Sequence, residues 1–266
     1  MTRLEGRWLE RPWGRERVWE AGDGAPVLAI HGLGGSGRYF ERFAERVRGH
    51  RVVAPDLAGF GWSDKPDIAY ERSDHLESLD AAVNGLDGPI VVVGHSLGGL
   101  FAALWAARDP GRVAALAILC APFPAADGTQ VWVREPMLPA AARVAGPALR
   151  TLARAIAVPV GIARGYPASV AADYARQTFR SRGRTMWSAL YDPSVLDDLE
   201  RIRGIDGAMP ILVEHAEQDQ TVRVDAHAKW TDLLPSAERR IVSGGHQVQL
   251  HEGFASLAGW IERAGG

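Results

Sequence analysis

Short apolar runs bounded by glycine and proline alternate along the chain with longer stretches of helical period. That alternation predicts an α/β fold: a mostly parallel, twisted sheet with helices on both faces. The runs PVLAIH (26 to 31), RVVAP (51 to 55), PIVVVG (89 to 94), VAALAILC (113 to 120), MPILVEH (209 to 215) and ERRIV (238 to 242) predict strands. Helical spacing predicts helices near 38 to 48, 72 to 86, 97 to 108, 225 to 234 and 251 to 263. The first twenty residues interleave tryptophan with charge and read as antiparallel edge strands.

The alternation stops after Cys120 and resumes only at Met209, across a segment rich in Ala, Arg and Pro. That is too long for a loop inside a compact domain. The economical reading is a core domain in two pieces, 1–122 and 201–266, with a helical lid inserted over 123–200. Its place would be above the C-terminal edge of the sheet, where open α/β folds bind ligands.

Composition narrows the picture. With 266 residues, 47% apolar and 23% charged, the chain is able to bury one large core. A formal charge of -2 gives no reason to expect nucleic acid or an acidic membrane as partner. The single cysteine, Cys120, excludes an internal disulfide and a multi-thiolate zinc site. The N-terminal segment is too charged for a signal peptide, and no run approaches the roughly 18 apolar residues of a membrane span. A cytoplasmic protein is the expectation.

Chemistry enters at PIVVVGHSLGGLFAALWAARDP, which holds Gly94, Ser96 and Gly98 in G-x-S-x-G spacing between an apolar strand and an amphipathic helix. The spacing alone is weak; the strand before it and the helix after it make it specific. Glycines two residues either side let a serine stand exposed on a sharp turn, with helix N-terminal N–H groups aimed at developing negative charge. A second glycine-rich turn, HGLGGSG, follows the strand PVLAIH at residues 31 to 37. From these turns the N–H groups of Leu33 and Leu97 are the expected oxyanion donors, with Gly34 the rival to Leu33.

A serine hydroxyl is barely ionised at neutral pH and needs a base, and the base needs a carboxylate to hold its tautomer. His246, in VSGGHQVQLHEGF, and Asp219, in ILVEHAEQDQTV, each follow a predicted strand on the same sheet edge. Their order after Ser96, acid then histidine, is the order this kind of sheet uses. The competing histidines have simpler readings. His31 and His95 brace the two glycine turns; His50, His75 and His227 fall on helix faces or ends; His215 ends a strand, and His251 begins the last helix. Asp225 and Glu217 are the alternative acids.

Taken together, GHSLGG, HGLGG, DLAGFGWSD at 56 to 64, EQDQTV and GGHQVQLHE resemble the α/β-hydrolase superfamily, in its branch of small bacterial esterases. The likeness spans roughly 24 to 122 and 205 to 264. It implies a serine esterase acting on a small carboxylic ester through an acyl-enzyme on Ser96, with neither metal nor organic cofactor. Ala216 departs from the glycine many members carry before the acid loop. The resemblance sets aside dehalogenase and epoxide hydrolase chemistry, whose nucleophile is aspartate, and His95 replaces the asparagine common in carbon–carbon bond hydrolases. Acyl transfer or perhydrolysis, carbon–carbon cleavage by the same triad, and a non-catalytic ligand-binding relative are the alternatives.

The predicted lid is basic: Arg134, Arg143, Arg150, Arg154, Arg164, Arg176, Arg180, Arg182 and Arg184 face only Asp127, Glu135 and Asp173. Such a surface suits an anionic or carrier-bound ester, and equally a solvated helix face. Trp132, Met137, Met186 and Trp187 are the residues expected to line an apolar acyl pocket.

Overall fold

A computed structural model describes residues 3–124, 158–163, 166–252 and 254–264. Eight strands form one sheet in the order β1-β2-β4-β3-β5-β6-β7-β8. The edge pair β1 (Glu5–Arg11) and β2 (Gly14–Ala21) is antiparallel, and β2 joins β4 (His50–Pro55) antiparallel. From there β3 (Ala25–Ile30), β5 (Ile90–His95), β6 (Val113–Leu119), β7 (Ile211–Ala216) and β8 (Glu238–Val242) run parallel. Each predicted strand is present, with ends moved by one or two residues.

The central strands are apolar without alternation because both faces are covered. Leu28, Ile30, Val92, Leu116 and Ile118 turn to one face, under Leu100, Phe101, Trp105 and Trp230. Their neighbours Val27, Ala29, Val91, Val93, Ala115 and Ala117 turn to the other, under Phe40, Phe43, Phe254 and Trp260. At the edge, where one face meets water, β1 and β2 alternate instead. Trp8 lies opposite Arg17, whose guanidinium sits 4.9 Å from the Trp8 ring and 4.7 Å from Trp19.

Helices α2 (Arg72–Ala82) and α3 (Leu97–Arg108) are close to prediction. The helix predicted over 38–48 is instead a 3-10 turn, Gly37–Phe40, and one α-turn, α1 (Glu41–Ala44). The predicted C-terminal helix starts earlier and divides in two. Phe254 takes φ +59, its N–H reaching back to Gln249 O, and its ring is buried against Tyr39, Phe40 and Phe43.

Between β6 and β7 the described residues are helical at 158–163 and over α4 (Ala168–Tyr174), α5 (Phe179–Leu190) and α6 (Val195–Arg203). Thr178 and Ser181 cap α5 by reciprocal hydrogen bonds. Leu199 and Ile202 of α6 join the same buried cluster as Leu104 and Trp105 of α3. Arg72 at the start of α2 ties two of these helices to the core, its side chain donating to Asp198 Oδ2 of α6 at 2.7 Å and its backbone N–H to Ser188 Oγ of α5 at 2.8 Å. None of the described helices is long and apolar enough to cross a membrane.

Candidate active site

The turn from β5 into α3 is tight enough to force Ser96 to φ 55°, ψ -129°, a conformation few non-glycine residues adopt. Its flanking glycines are needed for approach. A Cβ on Gly94 would lie 2.1 Å from Gly98 O, and one on Gly98 would lie 2.2 Å from Ile30 O. A Cβ on Gly32, in the first glycine turn, would come within 2.8 Å of the Ser96 Cβ, so the two turns pack against each other at the serine.

Residues far apart in the chain meet there. His246 Nε2 lies 3.0 Å from Ser96 Oγ, and His246 Nδ1 lies 2.7 Å from Asp219 Oδ2. This geometry suits an imidazole whose Nδ1–H donates to the carboxylate while Nε2 accepts from the hydroxyl. The other carboxylate oxygen, Oδ1, accepts the N–H groups of Thr221 and Val222, both at 2.8 Å. Burial alone would raise the Asp219 carboxyl, but the His246 hydrogen bond and charge and the two backbone donors outweigh it and hold it below the usual carboxylate value.

Two more histidines serve this arrangement. His95 donates from Nε2 to His246 O at 2.9 Å, fixing the loop that carries the base, and stacks on Tyr39 at 4.9 Å. Burial drives its pKa down to about 3, so it stays a neutral donor. His31 donates from Nδ1 to Gly32 O at 2.8 Å and accepts the Leu57 N–H on Nε2 at 3.1 Å, locking the first turn. Leu33 and Leu97 both line the cavity over Ser96. Among the described residues, no acceptor takes up either backbone N–H.

With this geometry in hand, comparison with known proteins is direct. Residues 25–252 match the family described as alpha/beta hydrolase fold. The chain belongs to that family. Alpha/beta hydrolase fold proteins similar to it are chemically diverse. It is 45% identical to Lipase LipV of Mycobacterium tuberculosis over 109 residues, covering 40% of this chain and 41% of the lipase. It is 28% identical to the 2-hydroxymuconate semialdehyde hydrolase of a Pseudomonas species over 263 residues, 92% of this chain and 89% of that one. It is 38% identical to a haloalkane dehalogenase of Agrobacterium fabrum over 100 residues, 37% of this chain and 33% of the dehalogenase. The matched stretch thus spans only about a third of the dehalogenase, as it does of two further lipases, one of a Moraxella species and one of Psychrobacter immobilis. Among solved structures, the N-acyl homoserine lactonase AidH superposes with a TM-score of 0.75 at 23% identity, over 98% of this chain and 97% of that one. At that identity the likeness speaks for the fold alone.

The cavity wall holds residues that sequence reasoning did not single out: Tyr39, Tyr166, Val170, Tyr174, Leu190 and Gln247. Gln247, next to His246, donates from Nε2 to Tyr166 Oη at 2.6 Å and accepts from Tyr39 Oη at 3.4 Å. No period or spacing marks these positions; only the fold gathers them. Of the four expected pocket residues, Met186 lines the cavity. Its neighbour Trp187 does not: it is 60% exposed and stacks on Tyr191 at the outer surface. Trp132 and Met137 lie outside the described residues.

The described arginines of the basic segment are engaged locally. Arg180 and Arg184 pair with Asp67, Arg176 lies 3.7 Å over the Trp62 ring, and Arg182 donates to Tyr174 Oη at 2.8 Å. Burial brings Arg182 down to about 10. Arg134, Arg143, Arg150, Arg154 and Arg164 lie outside the described residues. As for metal ligands, His95, Cys120 and His246 gather ligand atoms within 4.8 Å. Both His246 nitrogens and His95 Nε2 already have partners, and burial pushes the Cys120 thiol well up, which disfavours the thiolate a metal needs.

Proposed function

We propose that this protein is a serine hydrolase that cleaves a small carboxylic ester through an acyl-enzyme on Ser96. The observation that carries the reading is the continuous contact from Ser96 Oγ to His246 Nε2 at 3.0 Å and on from Nδ1 to Asp219 Oδ2 at 2.7 Å. In this reading His246 removes the Ser96 proton as Oγ attacks the carbonyl. Asp219 stabilises the imidazolium that forms, and the Leu33 and Leu97 N–H groups hold the oxyanion. The imidazolium then protonates the leaving alcohol, and water activated by the same imidazole releases the acid. In this reading the inserted segment acts as a lid, its described residues Tyr166, Val170, Tyr174 and Met186 contributing to the cavity wall. An ester is favoured by the likeness to lipases, 37% and 45% identical over 120 and 109 residues.

Carbon–carbon bond hydrolysis is the second reading, supported by similarity to the 2-hydroxymuconate semialdehyde hydrolase along 92% of the chain. Turnover of p-nitrophenyl esters of graded acyl length, set beside a vinylogous diketone, separates the two. The proposal expects ester cleavage to dominate and Ser96→Ala to lower it by several orders of magnitude. Diketone cleavage without ester turnover would overturn it.

A further inference from the structure

Among the places where the segment between β6 and β7 meets the core is one buried carboxylate. Asp173, on α4, is 1% exposed, yet its oxygens receive four donors. Oδ2 accepts from Ser36 Oγ at 2.7 Å and from Arg38 Nε at 2.8 Å, while Oδ1 accepts from Arg38 Nη2 at 2.8 Å and from Trp62 Nε1 at 3.0 Å. Arg38 Nη2 also donates to Ser169 O at 3.2 Å, so one guanidinium holds two residues of α4. Four donors fill a carboxylate's acceptor sites, and a forked arginine fixes orientation as well as charge.

The partners share a location. Ser36 and Arg38 flank Gly37, whose own N–H donates to the buried Asp56 at 2.5 Å and whose Cα has no room for a Cβ, which would lie 2.0 Å from Ala54 O. Trp62 bridges the same two carboxylates, its backbone N–H on Asp56 Oδ2 at 2.7 Å and its indole N–H on Asp173. The stretch 36–38 is therefore gripped by Asp56 and Asp173 together. Immediately before it lies the turn bearing Leu33, closed by Gly35 N–H on Gly32 O at 2.9 Å; immediately after it lies Tyr39, stacked on His95. On the other side of the grip, α4 presents Val170 and Tyr174 to the same cavity.

We propose that Asp173 is a positioning residue: one carboxylate sets both the turn that offers the Leu33 N–H and the helix that offers Val170 and Tyr174 to the substrate. The proposal rests on reading Ser96 as the nucleophile. A preorganised oxyanion donor is effective only when correctly placed, and a shift of about 1 Å is able to cost about a hundredfold in rate.

Two variants separate positioning from simple stabilisation. Asp173→Asn leaves Arg38 without its anion; Arg38→Gln with Asp173→Asn removes both charges and should recover the melting temperature. Positioning expects kcat on a short-chain ester to fall by about tenfold or more in Asp173→Asn, with KM rising as Val170 and Tyr174 lose their place in the wall. It expects kcat to stay low in the double variant although stability returns. Wild-type kcat in Asp173→Asn, or kcat recovering together with melting temperature, overturns the proposal. Hydrogen exchange reads the grip without substrate: Asp173→Asn should speed exchange in peptides covering 31–40 and 168–174 together and leave 90–108 unchanged. Acceleration confined to one of the two peptides also overturns it. If the wild type neither cleaves esters nor labels at Ser96, the reading of Ser96 has failed, and the exchange result distinguishes that failure from failure of the grip.

Discussion

Asp219 uses its two oxygens for different purposes: Oδ1 closes its own loop on Thr221 and Val222, and Oδ2 meets His246. Replacing the acid by asparagine keeps the loop contacts and removes the charge that selects the Nδ1–H tautomer. Asp219→Asn is expected to lower kcat by about three to four orders of magnitude with KM little changed, measured by steady-state ester hydrolysis. A loss of less than tenfold would mean that another group orients the imidazole. Ser96, His246 and Asp219 were legible in the sequence because each sits beside glycine or at a strand end, in a chain order with few alternatives. Asp173, Arg38 and Trp62 were not, because no local pattern marks a carboxylate whose partners lie 135 and 111 positions away. Met186 and Trp187 show the same limit from another side. Neighbours on a helix point about 100° apart, so sequence alone does not decide which one faces the cavity.

At the scale of elements, the turn between β5 and α3 depends on close backbone approach. A Cβ on Gly98 would meet Ile30 O at 2.2 Å and His31 O at 2.6 Å, both rigid strand-end carbonyls. Gly98→Ala is therefore expected to destabilise the fold by about 3 kcal/mol. Gly183, inside α5 with nothing within 4 Å of a built Cβ, provides the contrast. Gly183→Ala should stabilise by up to about 1 kcal/mol through helix propensity, and urea denaturation of the two variants checks both signs. The central strands were well predicted because burial on both faces leaves uninterrupted apolar runs. The helix expected over 38–48 was not, because the chain there must first present Gly37 to Asp56 and Tyr39 to His95, and a 3-10 turn does both.

At the scale of the whole molecule, burial holds five imidazoles among the described residues below their ordinary pKa: His31, His75, His95, His215 and His227. Burial lowers His31 to about 4 and His75 and His95 to about 3. An unfolded chain binds protons on these groups below about pH 6.5, where the folded chain does not, so stability falls as pH drops from 6.5 towards 4. Asp56, raised to about 7 chiefly by burial, acts in the opposite sense, its contribution being lost as pH rises through that value. With five lowered imidazoles against two raised carboxyls, Asp56 and Glu16, the melting temperature is expected to decline on acidification across this window. His75 lies away from the triad, its Nε2 2.8 Å from Thr185 Oγ1. His75→Gln should make the decline shallower, which melting curves at pH 7, 6, 5 and 4.5 would read; an unchanged slope would contradict it.

The account as a whole turns on whether Ser96 is a nucleophile activated by His246. Incubation with a fluorophosphonate, followed by intact mass and peptide mapping, tests that directly. The account predicts one adduct, on Ser96, absent in Ser96→Ala and formed far more slowly in His246→Ala. An adduct elsewhere, or labelling at the wild-type rate without the imidazole, would contradict it.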